Sequence, residues 1–400
     1  MSVSARIETV EALVIGAGPA GLMAAQELGR AGVQVVIVDA MPSPARKFLM
    51  AGKSGLNVTK NEGMDAFQSH FSPLPDALKS ALSDFGPKDV IAWAEDLGQE
   101  VFTGSTGRVF PTVMKASPLL RAWLARLDNY GADLRRKWRL TGMDDTGAAV
   151  FQTPEGLRKI HAKATILALG GASWARLGSN GAWADLMPDA TIAPFAPANS
   201  ALSVTWSTHM TRHFGGAVKG VELRCGAYKS RGEFIISNRG LEGGGIYSVS
   251  RGVREGHEVV VDLLPDMPAA KVKAALERRK PKESLVNFLR KSLRLSPEKI
   301  AMVMEFARPL PDDLTPVLKG LTVSGAQLRP MDEAISTAGG LRFEGLTDNL
   351  EIKTLPNVFA CGEMLDWEAP TGGYLINACL ATGRRAGLVA IDAVTASKDE

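Results

Sequence analysis

A glycine pattern near the amino terminus constrains the fold of this chain more than any other feature. Gly16, Gly18 and Gly21 form G-x-G-x-x-G. The apolar residues 12–15 come directly before the pattern and are typical of a buried parallel strand. Residues 19–30 follow it and are rich in good helix formers. This order of strand, glycine turn and helix predicts the first half of a dinucleotide-binding β-α-β unit.

The next run completes that unit. Residues 33–38 are mostly β-branched and predict a second strand, which ends at Asp39. In such units, Gly16 permits the tight turn, Gly18 lets the backbone approach a diphosphate, and Gly21 lets the helix pack on the strand. The helix amino terminus favours the phosphates, and Asp39 can accept hydrogen bonds from ribose hydroxyls. The pattern alone does not separate FAD from NAD.

A second glycine-containing stretch resembles an ATP-binding loop only in part. Residues 52–54 read Gly-Lys-Ser, the end of G-x-x-x-x-G-K-[ST], but Lys47 stands where the first glycine is required. Lysine does not adopt the glycine-only backbone angles of such a turn readily. The stretch also lacks a hydrophobic strand leading into it, so we expect no ATP site here.

Composition excludes several classes of protein. The net charge of +3 is too small to indicate nucleic-acid binding by itself, although basic clusters occur at 135–139 and 278–282. The cysteines are Cys225, Cys361 and Cys379, with no C-x-x-C spacing, which favours neither disulfides nor zinc. We therefore expect a cytoplasmic protein with no metal, no membrane segment and no nucleic-acid partner.

The remaining segments predict further domains, as the length of 400 residues does. Residues 163–173 predict an apolar strand that enters a Gly-Gly turn. Short alternating runs at 197–264 predict an antiparallel β unit, and 268–318 predicts several helices. Near the carboxyl terminus a strand at 355–366 precedes a Gly-Gly loop and a long helix. The amino terminus of that helix suits partial negative charge.

Taken together, these segments resemble a family of bacterial FAD-binding flavoproteins of the aminoacetone-oxidase or BaiN type. Its wider relatives are the glutathione-reductase-like FAD proteins. The resemblance covers nearly the whole chain and rests on GAGPAG (16–21), RKFLMAGKSGLNVT (46–59), LALGGAS (167–173), ACGEMLD (360–366) and APTGGY (369–374).

The resemblance implies an α/β fold with a Rossmann-like FAD-binding domain that is discontinuous in sequence. Residues 1–196 and 333–400 are expected to form this domain. An inserted β-barrel-like unit is expected at 197–267 and 325–332, and a small helical subdomain at 268–324.

The resemblance also implies the cofactor contacts. The first glycine loop is expected to contact the diphosphate, and Asp39 the adenosine ribose. The backbone of Leu140 is expected to contact the adenine. Lys47 and residues 55–58 are expected along the diphosphate and flavin, and residues 168–170 along the dinucleotide. Gly362, Glu363 and residues 371–375 are expected to hold the ribitol and the flavin ring. The full set is Gly16, Gly18, Pro19, Ala20, Gly21, Asp39, Ala40, Lys47, Gly55, Leu56, Asn57, Val58, Leu140, Ala168, Leu169, Gly170, Gly362, Glu363, Thr371, Gly372, Gly373, Tyr374 and Leu375.

Two departures from the family pattern affect the chemistry. Many members have Arg-Cys where this chain has Gly55-Leu56, so any reaction of that thiol is absent here. Cys361 stands where a small residue is common. It is either a redox thiol near the flavin or a small buried hydrophobic residue, and the second interpretation is favoured.

The predicted activity is that of an FAD-dependent oxidoreductase, with hydride or electron transfer at flavin N5 to or from a small-molecule substrate. A second G-x-G-x-x-G is absent, so NAD(P)H would act as a transient donor directly at the flavin. Weak candidates for catalysis or substrate binding are Arg108, Lys115 and Tyr374. Two alternatives stay open: an RNA-modifying flavoprotein, and a flavin-binding protein without catalysis.

Overall fold

The computed structural model describes residues 7–187 and 191–396. Two compact units divide the chain. Unit 1 comprises Met1–Ala196 and Ser336–Glu400, and unit 2 comprises Pro197–Ile335. The finer division into a β unit and a helical subdomain stays a prediction.

The strands of the described residues are β1 Ile7–Ile15, β2 Val35–Asp39, β3 Thr59–Lys60, β4 Val101–Thr103, β5 Arg108–Pro111, β6 Asp133–Arg136, β7 Arg139–Met143, β8 Ala149–Thr153, β9 Gly156–Leu167, β10 Ile192–Ala198, β11 Leu202–Ser203, β12 Ala217–Cys225, β13 Tyr228–Ser237, β14 Gly240–Glu242, β15 Val259–Asp262, β16 Leu321–Val323, β17 Gln327–Leu328, β18 Ser336–Leu341 and β19 Val358–Ala360. The α-helices are α1 Pro19–Arg30, α2 Arg46–Ala51, α3 Met64–Gln68, α4 Asp76–Asp84, α5 Pro87–Asp96, α6 Ala116–Asn129, α7 Gly244–Arg254, α8 Ala269–Leu276, α9 Leu285–Ser292, α10 Pro297–Phe306, α11 Thr315–Lys319 and α12 Tyr374–Ala396.

Unit 1 is built on a parallel sheet. Strands β6, β2, β1, β9 and β19 pair in parallel in that order, and β8 and β7 extend the sheet from β9 as antiparallel strands. Ala12 of β1 lies between Val35 of β2 and Ala164 of β9. Residues 12–15 are buried, as expected for a central parallel strand covered on both faces. The predicted strand, helix and strand at the amino terminus are confirmed.

Helix α12 joins the far end of the chain to that unit. It packs along α1 through glycines, and a Cβ at Gly383 would lie 2.2 Å from the carbonyl oxygen of Ala20. A Cβ at Gly387 would lie 2.7 Å from the carbonyl oxygen of Ala24. Such distances are far below van der Waals contact, so only glycine permits this approach. The two helices therefore lie backbone to backbone.

A small antiparallel sheet of β3, β5 and β4 lies in the same unit. The region between β3 and β4 contains the helices α3, α4 and α5. None of the helices in the described part of the chain is long and apolar enough to cross a bilayer.

Unit 2 has its own antiparallel sheet and its own hydrophobic core. The sheet order is β16, β15, β12, β13, β14, β11 and β17. Helix α7 packs on it, and Gly245 approaches the backbone of Glu233 so closely that a Cβ would lie 2.7 Å from its carbonyl oxygen. Buried side chains such as Phe234, Val249 and Phe288 form the core of this unit.

Candidate functional site

An open cleft lies in unit 1 at the carboxyl ends of the parallel strands. Its empty space is about 870 Å³, including the space at its mouth. Residues at or just beyond the ends of β1, β2, β9 and β19 line it, among them Gly16, Asp39, Ala168 and Gly362. In open α/β sheets, ligands bind at this edge.

The first glycine loop leaves space in the cleft. Gly16 has φ +107°, and a Cβ there would lie 2.2 Å from the carbonyl oxygen of Ala168. Gly18 is different, because its φ of −83° suits any residue and a Cβ there would have no atom within 4 Å. Protein packing therefore does not require glycine at position 18. The free space next to the α1 amino terminus fits a diphosphate held by backbone N–H groups.

Asp39 fixes the shape of this loop. Its Oδ2 accepts from the N–H of Ala17 at 2.9 Å and its Oδ1 from the N–H of Met41 at 2.8 Å. Burial raises the pKa of the Asp39 carboxyl, while these N–H donors and the charge of Arg46 act in the opposite direction. Asp39 thus holds together two backbone segments beside the cleft that it lines.

A hydrogen-bond network of distant residues forms another wall of the cleft. The Nζ of Lys47 lies 2.6 Å from Oε2 of Glu363 and donates to Oγ of Ser173 at 2.7 Å. Oε1 of Glu363 accepts from the N–H of Thr337 at 3.2 Å. Oγ1 of Thr337 in turn accepts from the N–H of Ala172 at 2.8 Å. The network connects α2, the turn after β9, β18 and the turn after β19.

The cleft brings together many of the residues expected to contact the cofactor. Those that line it are Gly16, Gly18, Pro19, Ala20, Asp39, Ala40, Lys47, Leu140, Ala168, Leu169, Gly170, Gly362 and Glu363. The expected residues that do not line it are Gly21, Gly55, Leu56, Asn57, Val58, Thr371, Gly372, Gly373, Tyr374 and Leu375. Gly21 instead packs on the strand turn, where a Cβ would lie 1.9 Å from the carbonyl oxygen of Gly16.

The two loops expected at the flavin ring meet each other outside this cleft. A Cβ at Gly373 would lie 2.4 Å from the carbonyl carbon of Thr59, so the turn before α12 rests directly on β3. Thr59 Oγ1 also donates to Oδ1 of Asn377 on α12 at 2.6 Å. Loop 55–58, which leads into β3, is therefore tied to loop 371–375.

A polar cluster surrounds Tyr374 at this junction. Its hydroxyl donates to Oε1 of Glu62 at 2.7 Å and accepts from Nζ of Lys60 at 2.9 Å. Lys60 Nζ also lies 2.9 Å from Oε2 of Glu62, which closes a triangle. The His70 ring packs on the Tyr374 ring at a tilt of 45°, with ring centroids 4.6 Å apart, and its Nε2 lies 3.7 Å from Oε1 of Glu62. We call Lys60, Glu62, His70 and Tyr374 the tyrosine cluster.

The protonation states in this cluster follow from its contacts. Burial raises the pKa of Glu62, but hydrogen bonds from Tyr374 and Lys60 outweigh this effect, so the pKa lies below its ordinary value. Burial and the hydrogen bond to Glu62 raise the pKa of Tyr374. Burial also lowers the pKa of His70. At neutral pH the carboxylate is therefore charged and the phenol keeps its proton.

The three weak candidates for catalysis are placed differently. Arg108 lies beside the tyrosine cluster, with its Nε 3.8 Å from the Cβ position of Gly372. Its positive charge opposes the rise in the pKa of Tyr374 that burial and Glu62 cause. Lys115 is exposed at the residue before α6. Arg108 and Tyr374 lie near each other, and within the described part of the chain Lys115 has no hydrogen bond or ion pair with either residue.

Several residues of the site were not expected from the sequence. Arg46, Trp138, Ser179 and Cys379 line the cleft, and Lys60, Glu62 and His70 belong to the tyrosine cluster. For Trp138 a signal existed, since an aromatic side chain two residues before Leu140 suits an adenine ring. For the other residues, no local sequence pattern indicated a place in the site.

The residues present fit FAD. Arg46 Nε and Asn57 Oδ1 are buried and have no hydrogen-bond partner among the described residues, so each suits a polar ligand atom. Arg46 lines the cleft on the side of Asp39. Asn57 belongs to the loop expected at the flavin ring. The space at Gly18 suits the central diphosphate of FAD, and the two unpartnered atoms suit other polar groups of that cofactor.

Comparison with known proteins agrees with this geometry. A family model described as the HI0933-like protein Rossmann domain matches residues 10–389. The fold and the cleft define an FAD-dependent oxidoreductase with a Rossmann-like cofactor domain. The chain belongs to the HI0933-like family.

Curated relatives and solved structures add detail. A 3-dehydro-bile acid delta(4,6)-reductase of Clostridium scindens is 28% identical over 95% of this chain and 98% of its own length. A ribosomal RNA dihydrouridine synthase of Escherichia coli is 24% identical over 92% of this chain and 94% of its own. A flavocytochrome c3 fumarate reductase has TM-score 0.51 at 17% identity, covering 97% of this chain and 79% of that chain. A quinol-fumarate reductase has TM-score 0.52 at 15% identity, covering 98% and 72%. The two structures share the fold.

Proposed function

We propose that this protein is a cytoplasmic FAD-dependent reductase that adds hydrogen to a carbon–carbon double bond in a ring-shaped small molecule. The observation that carries the proposal is the tyrosine cluster, which places a buried phenol between an ammonium and a carboxylate where loops 55–58 and 371–375 meet. The names of the curated relatives support it, because one denotes a reductase of a ring system and the other a synthase of a dihydro base.

The chain supplies binding and proton handling. FAD supplies hydride or electron transfer at its N5 atom. The α1 amino terminus and Gly18 hold the diphosphate, while Arg46 and Trp138 lie on the adenosine side. Glu363, oriented by Lys47, is expected to accept from the ribitol hydroxyls.

The second hydrogen of such a reduction must arrive as a proton. Tyr374 is the candidate donor: its O–H bond breaks as the new C–H bond forms. Lys60, 2.9 Å away, stabilises the phenolate. Glu62 exchanges protons with Tyr374 on one side and with the half-exposed His70 on the other. Arg108 can bind an anionic or carbonyl group of the substrate.

The test begins with the purified protein. We expect a visible flavin spectrum that bleaches under anaerobic titration with NADH or NADPH and returns when a substrate is added. The substrate panel contains simple cyclic enones and a 3-oxo-4,6-diene steroid. A protein that takes up no FAD on reconstitution contradicts the cofactor. A holoprotein that no donor or substrate in the panel can reduce or reoxidise favours flavin binding without catalysis.

A second candidate is reduction of a base in RNA. It is favoured by the two relatives from Haemophilus influenzae and Escherichia coli that are named as ribosomal RNA dihydrouridine synthases. Incubation of the reduced holoprotein with unmodified ribosomal RNA, followed by nuclease digestion and mass spectrometry, detects a base that has gained two hydrogen atoms. If that base forms and no small ring substrate is reduced, reduction of an RNA base becomes the favoured function and reduction of a small ring molecule is rejected.

A further inference from the structure

A short part of unit 2 has a larger net positive charge than the whole chain. Residues 271–294 contain nine Lys or Arg and two Glu, a formal charge of +7. The whole chain has a formal charge of +3, so the other residues sum to −4. The cofactor site, which lies in unit 1, uses none of these residues.

These cations are exposed on α8, on α9 and on the chain that connects and follows them. Val272 of α8 and Phe288 and Leu289 of α9 are buried in the core of unit 2. The connecting segment between them is exposed and includes Arg278, Arg279, Lys280 and Lys282. We call the exposed side chains of residues 271–294 the basic surface.

Two contacts orient part of this surface. Arg279 Nε donates to the carbonyl oxygen of Glu283 at 3.1 Å, so its guanidinium is fixed across the segment. Arg290 donates to Oδ1 of Asn287 at 3.1 Å on the exposed side of α9. Guanidinium groups held in this way keep N–H donors free for phosphate oxygens, which they bind in a bidentate manner.

The composition of the surface distinguishes between polyanions. A helix that binds a membrane inserts large apolar side chains beside its cations. Here those side chains face the protein core, and the large apolar residue of the segment that is strongly exposed is Val286, at 44%. The surface therefore suits a flexible, hydrated chain of phosphates rather than a lipid bilayer.

We propose that the basic surface binds single-stranded RNA through its phosphate backbone. The inference rests on the second candidate function, in which the ring to be reduced belongs to an RNA base. Binding of this kind is driven by release of counterions, so it weakens steeply with salt. The surface provides affinity, and the chemistry stays with the FAD-binding unit.

The experiment measures binding without turnover. The holoprotein is titrated into a short labelled single-stranded RNA of mixed sequence, at several salt concentrations. The variant R278Q/R279Q/K280Q/K282Q removes four charges. We expect it to bind at least about tenfold more weakly and to reduce the slope of log Kd against log salt by about 3.

A matched variant controls for net charge. K79Q/K88Q/R158Q/K353Q removes the same number of charges from exposed positions dispersed over unit 1, and we expect it to bind RNA like the unmodified protein. Equal FAD content and equal thermal unfolding of both variants exclude misfolding as the cause.

Defined outcomes overturn the inference. Equal loss of binding in both variants would indicate a general charge effect. DNA of the same sequence and phosphatidylserine vesicles are titrated in parallel. Tighter binding of either one than of RNA would show that RNA is not the preferred partner of the basic surface. If RNA binds through the basic surface but no reduced base forms, the inference that this surface binds RNA is retained and the second candidate function is rejected.

Discussion

The ammonium of Lys47 lies 2.6 Å from the carboxylate of Glu363, although 316 residues separate them in the chain. Lys47 belongs to α2 near the amino terminus, and Glu363 follows the last strand, β19. Both side chains line the same cleft. The pair therefore fixes the two ends of unit 1 across the proposed cofactor site, so cofactor affinity and fold stability are coupled there.

Removal of one partner leaves the other charge poorly compensated. The side chains are 27% and 14% exposed, so solvent relieves only part of the loss. We expect Lys47→Met or Glu363→Gln alone to lower the free energy of unfolding of the apoprotein by about 1–3 kcal/mol. The double variant should lose less than the sum. Urea unfolding of all four proteins measures this coupling, and strictly additive effects would contradict it.

Gly18 provides a test of the diphosphate site that leaves the fold unchanged. Because a Cβ at this position meets no protein atom, Gly18→Ala should unfold like the unmodified protein. The added methyl group enters the space proposed for the diphosphate, and we expect FAD to bind at least about tenfold more weakly, a loss of about 1.4 kcal/mol.

Gly63 is the matched control. It also precedes a helix with ordinary backbone angles, φ −62°, and with free space around its Cβ position. Gly63→Ala should bind FAD normally in the same fluorescence titration. Equal affinity of the two alanine variants would exclude the proposed position of the diphosphate.

Tyr374→Phe tests the proton donor. The variant keeps the ring that packs on Phe67 and His70 but removes the hydroxyl. Donation of protons by a positioned side chain contributes roughly 10²–10⁴-fold to a rate. We expect substrate reduction to slow by that factor while anaerobic reduction by NAD(P)H and the visible spectrum stay unchanged.

Tyr130→Phe serves as its control, since Tyr130 is 38% exposed at the end of α6. A normal solvent isotope effect on substrate reduction should be present in the unmodified protein. Full activity of Tyr374→Phe with an undiminished isotope effect would assign proton transfer to another group.

The tyrosine cluster also predicts a pH-dependent contribution to stability. The folded protein holds the pKa of Glu62 below its ordinary value of 4.5. The stabilisation is therefore complete above the unfolded pKa and is lost as the pH falls through the lower folded value. We expect Glu62→Gln to destabilise by about 1 kcal/mol at neutral pH and by progressively less below the ordinary pKa of Glu62.

Urea unfolding over a pH series measures this difference. The exposed Glu100 is the comparison residue, and Glu100→Gln should show no such trend. A destabilisation by Glu62→Gln that grows as the pH falls would have the wrong sign for this arrangement.

The thiols at the cleft should be inert. Cys361 is fully buried, and burial raises its pKa. Burial also raises the pKa of Cys379 to about 12. Since the thiolate is the nucleophile, both thiols should be in the protonated, unreactive form near neutral pH.

Iodoacetamide treatment of the folded apoprotein, followed by mass spectrometry, should therefore leave both residues unmodified. The denatured chain should become fully alkylated under the same conditions. Rapid modification of Cys361 in the folded protein would restore its interpretation as a redox thiol.

Local sequence patterns were sufficient to predict the β-α-β unit at the amino terminus. Gly16 and Asp39 belong to this unit, and the positive φ at Gly16 is a backbone geometry that its residue type indicates. The family and the FAD-dependent activity were likewise predicted correctly, because the motifs that carry them are contiguous.

The tyrosine cluster could not be predicted in this way. Glu62 and Tyr374 are 312 residues apart, and neither has a sequence context that indicates its partner. Their contact depends on Gly373 resting on Thr59, a packing relation that appears only in the fold. Arg46 was missed for a related reason, since its adjacent Lys47 matched the family pattern and its own unpaired Nε becomes evident only when burial is known.

The glycine contacts between α1 and α12 affect how the protein matures in the cell. Helix α1 emerges from the ribosome early, yet the backbone surface against which Ala20 and Ala24 pack is synthesised several hundred residues later. Until Gly383 and Gly387 arrive, the nascent amino-terminal segment exposes an apolar flank and lacks one wall of its nucleotide cradle. The cleft of unit 1 is therefore complete only after α12 has been synthesised.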